Sequence, residues 1–304
     1  MISTYKYKNL RWLDIESPNV DDVKSLINKY SIHPLVAEEL LRPTRRPKAD
    51  IFENFIYLIL HFPVFEQERK TSASYEIDFI IGKNFLITVH YKTITTLYEI
   101  GKMFEVGTMM SGGKMVKDPG LLTFYIIRQM YDYAMRQMDH IQAKIDVIEE
   151  NIFKGHEQKM VETISRIHRD ILDFQRSLHA NFSTLNYLEI AGEKICGPEF
   201  ARCTKKMISE YSKVKSLLEN CQETIERLQN TNDSILTDKT NNVMKMLTLM
   251  AFITFPLMLF SSIFSMNTKY TPILGMTGDF WIIVLFMLIS MSTMIFVFKR
   301  KKWF

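Results

Sequence analysis

Two apolar spans near the C-terminus, Met246 to Phe264 and Phe280 to Phe298, stand apart from a chain that is otherwise polar and patterned. Neither contains an ionisable residue. Each runs for about nineteen residues, enough to cross a bilayer core as a helix. The loop between them, 265–279, carries Pro272, Gly275 and Gly278. Lys299-Arg300-Lys301-Lys302 follows the second span, and Lys239 and Lys245 precede the first. By the positive-inside bias both termini are expected on the cytoplasmic side, with Trp281 at the outer interface and Trp303 at the inner one. The pattern predicts a multi-pass protein of the cell (plasma or inner) membrane, with loop 265–279 outside. Such a hairpin serves equally for anchoring or for transport.

Upstream, residues 1–117 read as a mixed α/β domain. Leu10 to Ile15 is a strand candidate. Ser17 is a candidate cap for a helix starting at Pro18, with Asp21 and Asp22 in its first turn and Val23, Leu26 and Ile27 inward. A short helix is expected from His33 to Leu41, ending at Pro43. Phe55 to Phe65 and Tyr75 to Tyr91 are strand-rich, the latter broken at Gly82-Lys83-Asn84 as a hairpin. Thr93 to Met110 reads as helix, and Ser111-Gly112-Gly113 with Asp118-Pro119-Gly120 marks a boundary.

Residues 118–243 read as helical, and 244–304 as the membrane hairpin. From Leu121 to Phe153 apolar residues recur at helical spacing (Ile127, Tyr131, Ala134, Met138, Ile141, Ile145, Ile148, Ile152) until Gly155. A second helix is expected from about Glu157 to Glu189. From Glu199 no Pro or Gly appears before Pro256. That predicts one helix of about 65 residues, about 100 Å long, continuous from a cytoplasmic stalk into the first span.

One face of this helix carries its own pattern. Steps of four and three give Asn241, Met244, Thr248, Ala251, Phe255, Met258, Ser262 and Ser265, and backwards Thr237, Ser234 and Asn230. Small, polar and Met residues occupy the seam, while Ile225, Leu228, Ile235 and Leu236 lie off it. Small residues mediate helix packing in membranes. The polar continuation below the membrane also fits a water-filled axis built from several copies.

Composition changes the picture little. The net charge of +4 over 304 residues comes largely from the terminal basic run, which argues for topology and against nucleic-acid binding. Residues 1–10 lack an apolar core, so no cleavable signal peptide is expected. Cys196, Cys203 and Cys221 have no metal-site spacing, and His168 and His179 could at most share a helix face. GxxxxGK, GxSxG, HExxH and CxxC are absent, so no enzyme activity is expected.

Phe264-Ser265-Met266-Asn267, followed by Pro272 and Leu274, resembles the CorA family of magnesium channels, whose hallmark is Gly-Met-Asn at the outer end of the first membrane helix. Asn241-Asn242-Val243-Met244-Lys245-Met246-Leu247-Thr248 and Phe255-Pro256-Leu257 resemble the family's pore helix. Lys299 to Phe304 resembles its basic tail. Arg46-Pro47-Lys48, Phe55-Ile56-Tyr57 and Phe85-Leu86-Ile87-Thr88-Val89-His90 resemble its funnel-domain strands. The resemblance implies an α+β cytoplasmic funnel domain, long stalk helices, two C-terminal transmembrane helices and a homopentamer in the lipid bilayer.

The resemblance also implies a divalent-cation channel, Mg2+ first and Co2+ or Ni2+ with it, driven by membrane potential. Mg2+ would be both the transported and the regulatory ion, with no other cofactor. Asn267, beside Ser265 and Met266, would hold the hydrated ion through its waters. Met244 and Leu247 would form an apolar constriction, with Thr248, Ala251, Phe255, Met258 and Ser262 along the pore. Three departures stand out: Ser265 replaces the motif glycine, Lys269 stands where an acidic residue is common, and Ile273 replaces Glu. Asp279 is the carboxylate left in the loop. A transporter of another ion such as Zn2+, and a non-conducting membrane-anchored sensor or assembly protein, are the alternative readings.

Overall fold

The computed structural model describes residues 2–66, 71–106, 110–111, 114–115, 118–196, 198–266 and 278–301. The chain divides into two compact units, Met1–Asn232 and Asp233–Phe304.

The first unit is built on a six-stranded sheet in the order β1-β2-β6-β5-β4-β3. The strands are β1 (Ile2–Tyr7), β2 (Leu10–Glu16), β3 (Lys48–Ile51), β4 (Phe55–Glu66), β5 (Thr71–Gly82) and β6 (Phe85–His90). All neighbours are antiparallel except β2 and β6, which pair in parallel with Trp12 opposite Leu86. The expected hairpin at 82–84 joins β5 to β6. Strand β1 escaped the sequence reading because it is an edge strand: of ISTYKY only Tyr5 is buried, so it lacks the alternation that marks a half-buried strand.

Alternation in the inner strands sends residues to two faces. Leu13, Ile15, Tyr57, Ile59, Ile80, Ile87 and Val89 pack with Val23 and Leu26 of α1 (Val20–Tyr30) and with Val36 and Ala37 of α2 (Pro34–Glu39). The opposite face carries the buried Trp12, Ile56, Leu58, Leu60, Phe62, Ile77 and Phe79. Helices α3 (Thr95–Glu105), α4 (Pro119–Asn151), α5 (Glu157–His179) and α6 (Asn181–Cys196) complete the unit. Two-residue strands β7 (Met110–Ser111) and β8 (Lys114–Met115) pair antiparallel.

Several boundaries differ from those expected. Helix α1 is capped by Asn19, not Ser17: Asn19 Oδ1 accepts from Asp22 N at 2.8 Å, and Asp22 Oδ2 accepts from Asn19 N at 3.1 Å. Ser17 sits at φ 48° and donates its hydroxyl to Tyr91 O instead. Helix α3 stops at Glu105, and Met110 is in a strand. The expected boundary at Asp118-Pro119-Gly120 is the start of α4, where Asp118 is the N-cap and its Oδ1 accepts from Leu121 N at 2.9 Å. The expected single helix from Glu157 to Glu189 is two helices, broken at Ala180.

All eight periodic residues are buried, seven in α4 from Ile127 to Ile148 and the eighth, Ile152, just beyond its end. A π-helical turn, Ile152–His156, follows it. Gly155 there has φ 88°, a conformation in which a Cβ is strained.

The 67-residue helix α7 (Pro198–Phe264) contributes to both units. In the first unit Met207, Tyr211, Val214, Leu218, Cys221, Ile225 and Leu228 are buried. At its start Phe200 lies against two glycines. A Cβ on Gly120 of α4 or on Gly192 of α6 would come within 2.6 Å of its ring, so these positions admit the close approach only as Gly. The second unit holds the remainder of α7 and α8 (Asp279–Arg300). Both helices are long and apolar enough to cross a membrane.

Candidate functional site

Within the second unit the membrane portion of α7 has two contrasting faces. Leu249 is buried, and Ile253, Pro256, Leu257, Phe260 and Phe264 are half-buried. On α8 the half-buried stripe is Asp279, Ile283, Met287, Ser290, Met294 and Phe298. The rings of Phe252 and Phe298 meet edge-on with centroids 6.4 Å apart. Large apolar groups spaced at three and four residues give the two helices their mutual packing surface.

The seam singled out in the sequence points elsewhere. Asn241, Met244, Leu247, Thr248, Phe255, Met258, Ser262, Ser265 and Met266 are exposed, and Ala251 is half-buried. At about 100° per residue, Met244, Thr248 and Phe255 lie roughly opposite Ile253, Leu257 and Phe264. Packing of the hairpin therefore leaves the seam uncovered except at Ala251. The small and hydroxyl-bearing residues of the seam are not the ones this hairpin uses for its own packing.

Hydroxyl chemistry on this face is directional. Thr248 Oγ1 donates to the Met244 carbonyl at 2.8 Å. Its only proton is thereby committed to the helix, and its lone pairs remain as neutral acceptors. Thr240, further down, donates in the same way to Leu236 O at 2.9 Å. Pro256 has no N–H to give to the carbonyl of Phe252. The span is free of ionisable side chains from Met246 to Phe264, while Asp238, Lys239 and Lys245 stand on its N-terminal side.

At the far end of α7, Ser265 N lies 3.1 Å from Ser261 O and 3.3 Å from Ser262 O, and Met266 N bonds Ile263 O at 3.3 Å. Among the described residues the positive-φ residues other than glycine are Lys8, Ser17 and Ser31, so Ser265 is not one of them. A Cβ at 265 is compatible with this backbone, and the motif position does not require glycine here. Asn267, Lys269 and Trp303 lie outside the described residues. Asp279 is the first residue of α8, after the N-cap Gly278, and its Oδ1 accepts from Phe280 N at 2.7 Å.

Among the described residues no group of three or more His, Cys, Asp or Glu is placed to hold a metal ion. Two ionisable clusters in the first unit were not singled out from the sequence. Glu76 and Asp78 are buried on β5 among Tyr57, Tyr91 and His61. His90 Nε2 lies 3.5 Å from Asp14 Oδ1. Alternating acids inside the apolar run Tyr75-Glu76-Ile77-Asp78-Phe79 were the available signal, since a strand's period of two turns both inward together.

A family model described as CorA-like Mg2+ transporter protein matches residues 7–300. The cobalt/magnesium transport protein CorA of Thermotoga maritima is 24% identical over 297 residues, which is 96% of this chain and 83% of that protein. Its namesake from Methanocaldococcus jannaschii is 21% identical over 296 residues, 97% of this chain and 91% of the other. The complete structure of the CorA magnesium transporter from the same organism superposes with a TM-score of 0.83 at 20% identity, covering 99% of this chain and 94% of that one.

Proposed function

The chain belongs to the CorA-like Mg2+ transporter family, and from that premise we propose that it is a homopentameric channel for divalent cations, Mg2+ above all, with Co2+ or Ni2+ accompanying. The observation that carries this reading is the uncovered seam. A face of Met, Thr, Ala and Ser turned away from the hairpin's own packing surface is what five copies need to enclose a pore.

Mg2+ surrenders its waters reluctantly, so a selective mouth best holds the hydrated ion. Asn267 supplies a neutral carbonyl at the mouth, and Ser265 adds a hydroxyl in place of the family's glycine. Thr248 offers acceptors to water at mid-helix. Met244 and Leu247 form an apolar ring that gates by dewetting. Inward flow follows the membrane potential, about 4.6 kcal/mol per 100 mV for a divalent ion, twice the single-charge value. Both termini are cytoplasmic under the positive-inside bias. Cytoplasmic Mg2+ acts as the closing ligand.

The test is Mg2+ influx into proteoliposomes under a negative-inside potential, read by an internal Mg2+ dye. Influx that cobalt hexaammine blocks and Asn267→Ala abolishes supports the reading. Asn267→Ala transport at the wild-type rate sinks the assignment of the mouth. The departures at Ser265 and Lys269 favour a second reading, a family member selective for another ion such as Zn2+. In that case Zn2+ enters the same vesicles and Mg2+ does not. Silence for every divalent ion points to a non-conducting sensor or assembly protein.

A further inference from the structure

Strand β5 lies between β4 and β6, in the middle of the sheet, and there it buries two carboxyl groups on one face. Asp78 is fully buried and Glu76 is 6% exposed. Each has one oxygen well supplied with donors. Asp78 Oδ2 accepts from Tyr57 OH at 3.1 Å and Tyr91 OH at 3.2 Å. Glu76 Oε1 accepts from Thr44 N at 2.9 Å and Thr44 Oγ1 at 3.1 Å. The other oxygens, Asp78 Oδ1 and Glu76 Oε2, are buried without a hydrogen-bond donor from the protein, and the strand's period of two puts both carboxyl groups on the same buried face. Two like charges there are relieved when one carboxyl carries a proton, and its O–H supplies a donor that the orphaned oxygens lack.

We propose that Glu76 and Asp78 form a proton-binding site that holds one proton at neutral pH, and that its occupancy keeps segment 40–48 seated on the sheet. The connection to that segment is direct. Thr44 is held by Glu76, and Tyr91, which donates to Asp78, also lies within 3.3 Å of Leu40 O. His61 Nε2 lies 3.1 Å from Thr44 O and 3.4 Å from Glu76 Oε2. The Nε2–H donates to Thr44 O, and Nδ1 is buried without a partner.

The surrounding charges leave the pair to itself. From α2 comes Glu39, and from β3 come Lys48 and Asp50. Lys48 Nζ bonds Glu39 at 2.6 Å and Asp50 at 2.8 Å, over the ring of Tyr57. Helix α1 turns Val23 and Leu26 toward this face, and β6 turns Val89. Arg42, Arg45 and Arg46 are exposed. Among the described residues no cation is paired with Asp78. Burial, then the neighbouring Glu76, holds its carboxyl well above the usual range. When the proton leaves, two like charges face each other in a low-dielectric interior. Relief comes through Glu76, and the segment anchored by Thr44 moves with it.

The experiment uses the full-length protein in nanodiscs. Infrared spectra should show the C=O stretch of a protonated carboxylic acid at neutral pH, lost in Asp78→Asn and, independently, in Glu76→Gln. Hydrogen exchange in 40–48, corrected for the chemical pH dependence, should rise by about an order of magnitude as that band titrates away. A wild-type spectrum without the band, or a band that survives both substitutions, overturns the site. Exchange that stays flat while the band titrates overturns its hold on 40–48. If Asp78→Asn fails to fold, Glu76→Gln alone decides, because the shared proton needs both groups.

Discussion

The carboxamide of Asn181 completes the edge of the sheet at His61. Its Oδ1 accepts from His61 N at 3.1 Å, and its Nδ2 donates to His61 O at 2.6 Å. Strand β3 pairs with β4 only from Ile56 to Ile59, so beyond it one side chain replaces a strand. Removing it leaves two buried backbone groups unpaired, each worth about 1–3 kcal/mol. Asn181→Ala should lower stability by about 2–4 kcal/mol. Asn181→Asp, which keeps only an acceptor, should not restore it. Thermal melting of both variants checks this, and an unchanged midpoint for Asn181→Ala would refute it.

Phe200 and Gly192 form a second closely fitted pair. A methyl at 192 meets the ring at 2.6 Å, and overpacking of this kind costs about 1–3 kcal/mol. Gly192→Ala should therefore destabilise, and Phe200→Leu in the same chain should recover part of the loss. Additive losses in the double variant would show that the clash is elsewhere.

His90 carries a pH dependence. Burial pulls its pKa down, but the adjacent Asp14 and the Lys92 carbonyl, 2.7 Å from Nδ1, outweigh burial and raise it overall. Thr88 Oγ1 also donates to Asp14 and accepts from Trp12 Nε1 at 2.9 Å, which holds the carboxylate in place. A folded-state pKa above the unfolded value of about 6.5 means the contribution is complete below that pH. It is lost as pH rises through the folded value. The melting-temperature gap between wild type and His90→Gln should shrink over that interval. A gap independent of pH would exclude the linkage.

The seam predicts which residues meet in the assembly. In a chain with Cys196, Cys203 and Cys221 replaced, Thr248→Cys or Met258→Cys should crosslink copies to one another under mild oxidation. Phe260→Cys, on the hairpin's own packing face, should not. Crosslinking through 260 but not 248 would reverse the assignment of faces.

Lys269→Glu should raise Mg2+ uptake at low ionic strength, because lysines around the mouth repel an arriving cation. The gain should diminish as salt is added, since such steering is screened within about 10 Å at 0.1 M. An unchanged uptake rate would place the loop away from the ion's path.

What the sequence disclosed was what neighbouring residues decide among themselves. Helix α7 announced itself because no Gly or Pro interrupts it before Pro256, and the β5–β6 turn because Gly82-Lys83-Asn84 breaks an apolar run. The eight periodic residues from Ile127 to Ile152 are all buried. The break at Ala180 had no such local sign. It accompanies the contact between Asn181 and a residue 120 positions away, where Ser183 and Thr184 both turn their hydroxyls onto Ala180 O. At the candidate site, the seam was legible as a pattern, but its period could not say whether another helix covered it. That required the position of α8. The acid pair on β5 was visible in principle and was passed over because its strand reads as apolar.

The Asn181 contact also has a history within each molecule's synthesis. Translation at roughly 5–20 residues per second separates His61 from Asn181 by roughly 6–24 s. Through that interval the nascent β4 presents an unpaired edge beside Leu60 and Phe62, two residues fully buried in the finished protein. An edge of that kind invites pairing with other chains. The newborn sheet therefore carries this unpaired edge before the membrane hairpin has been made, and a chaperone that shields it acts while the chain is still on the ribosome.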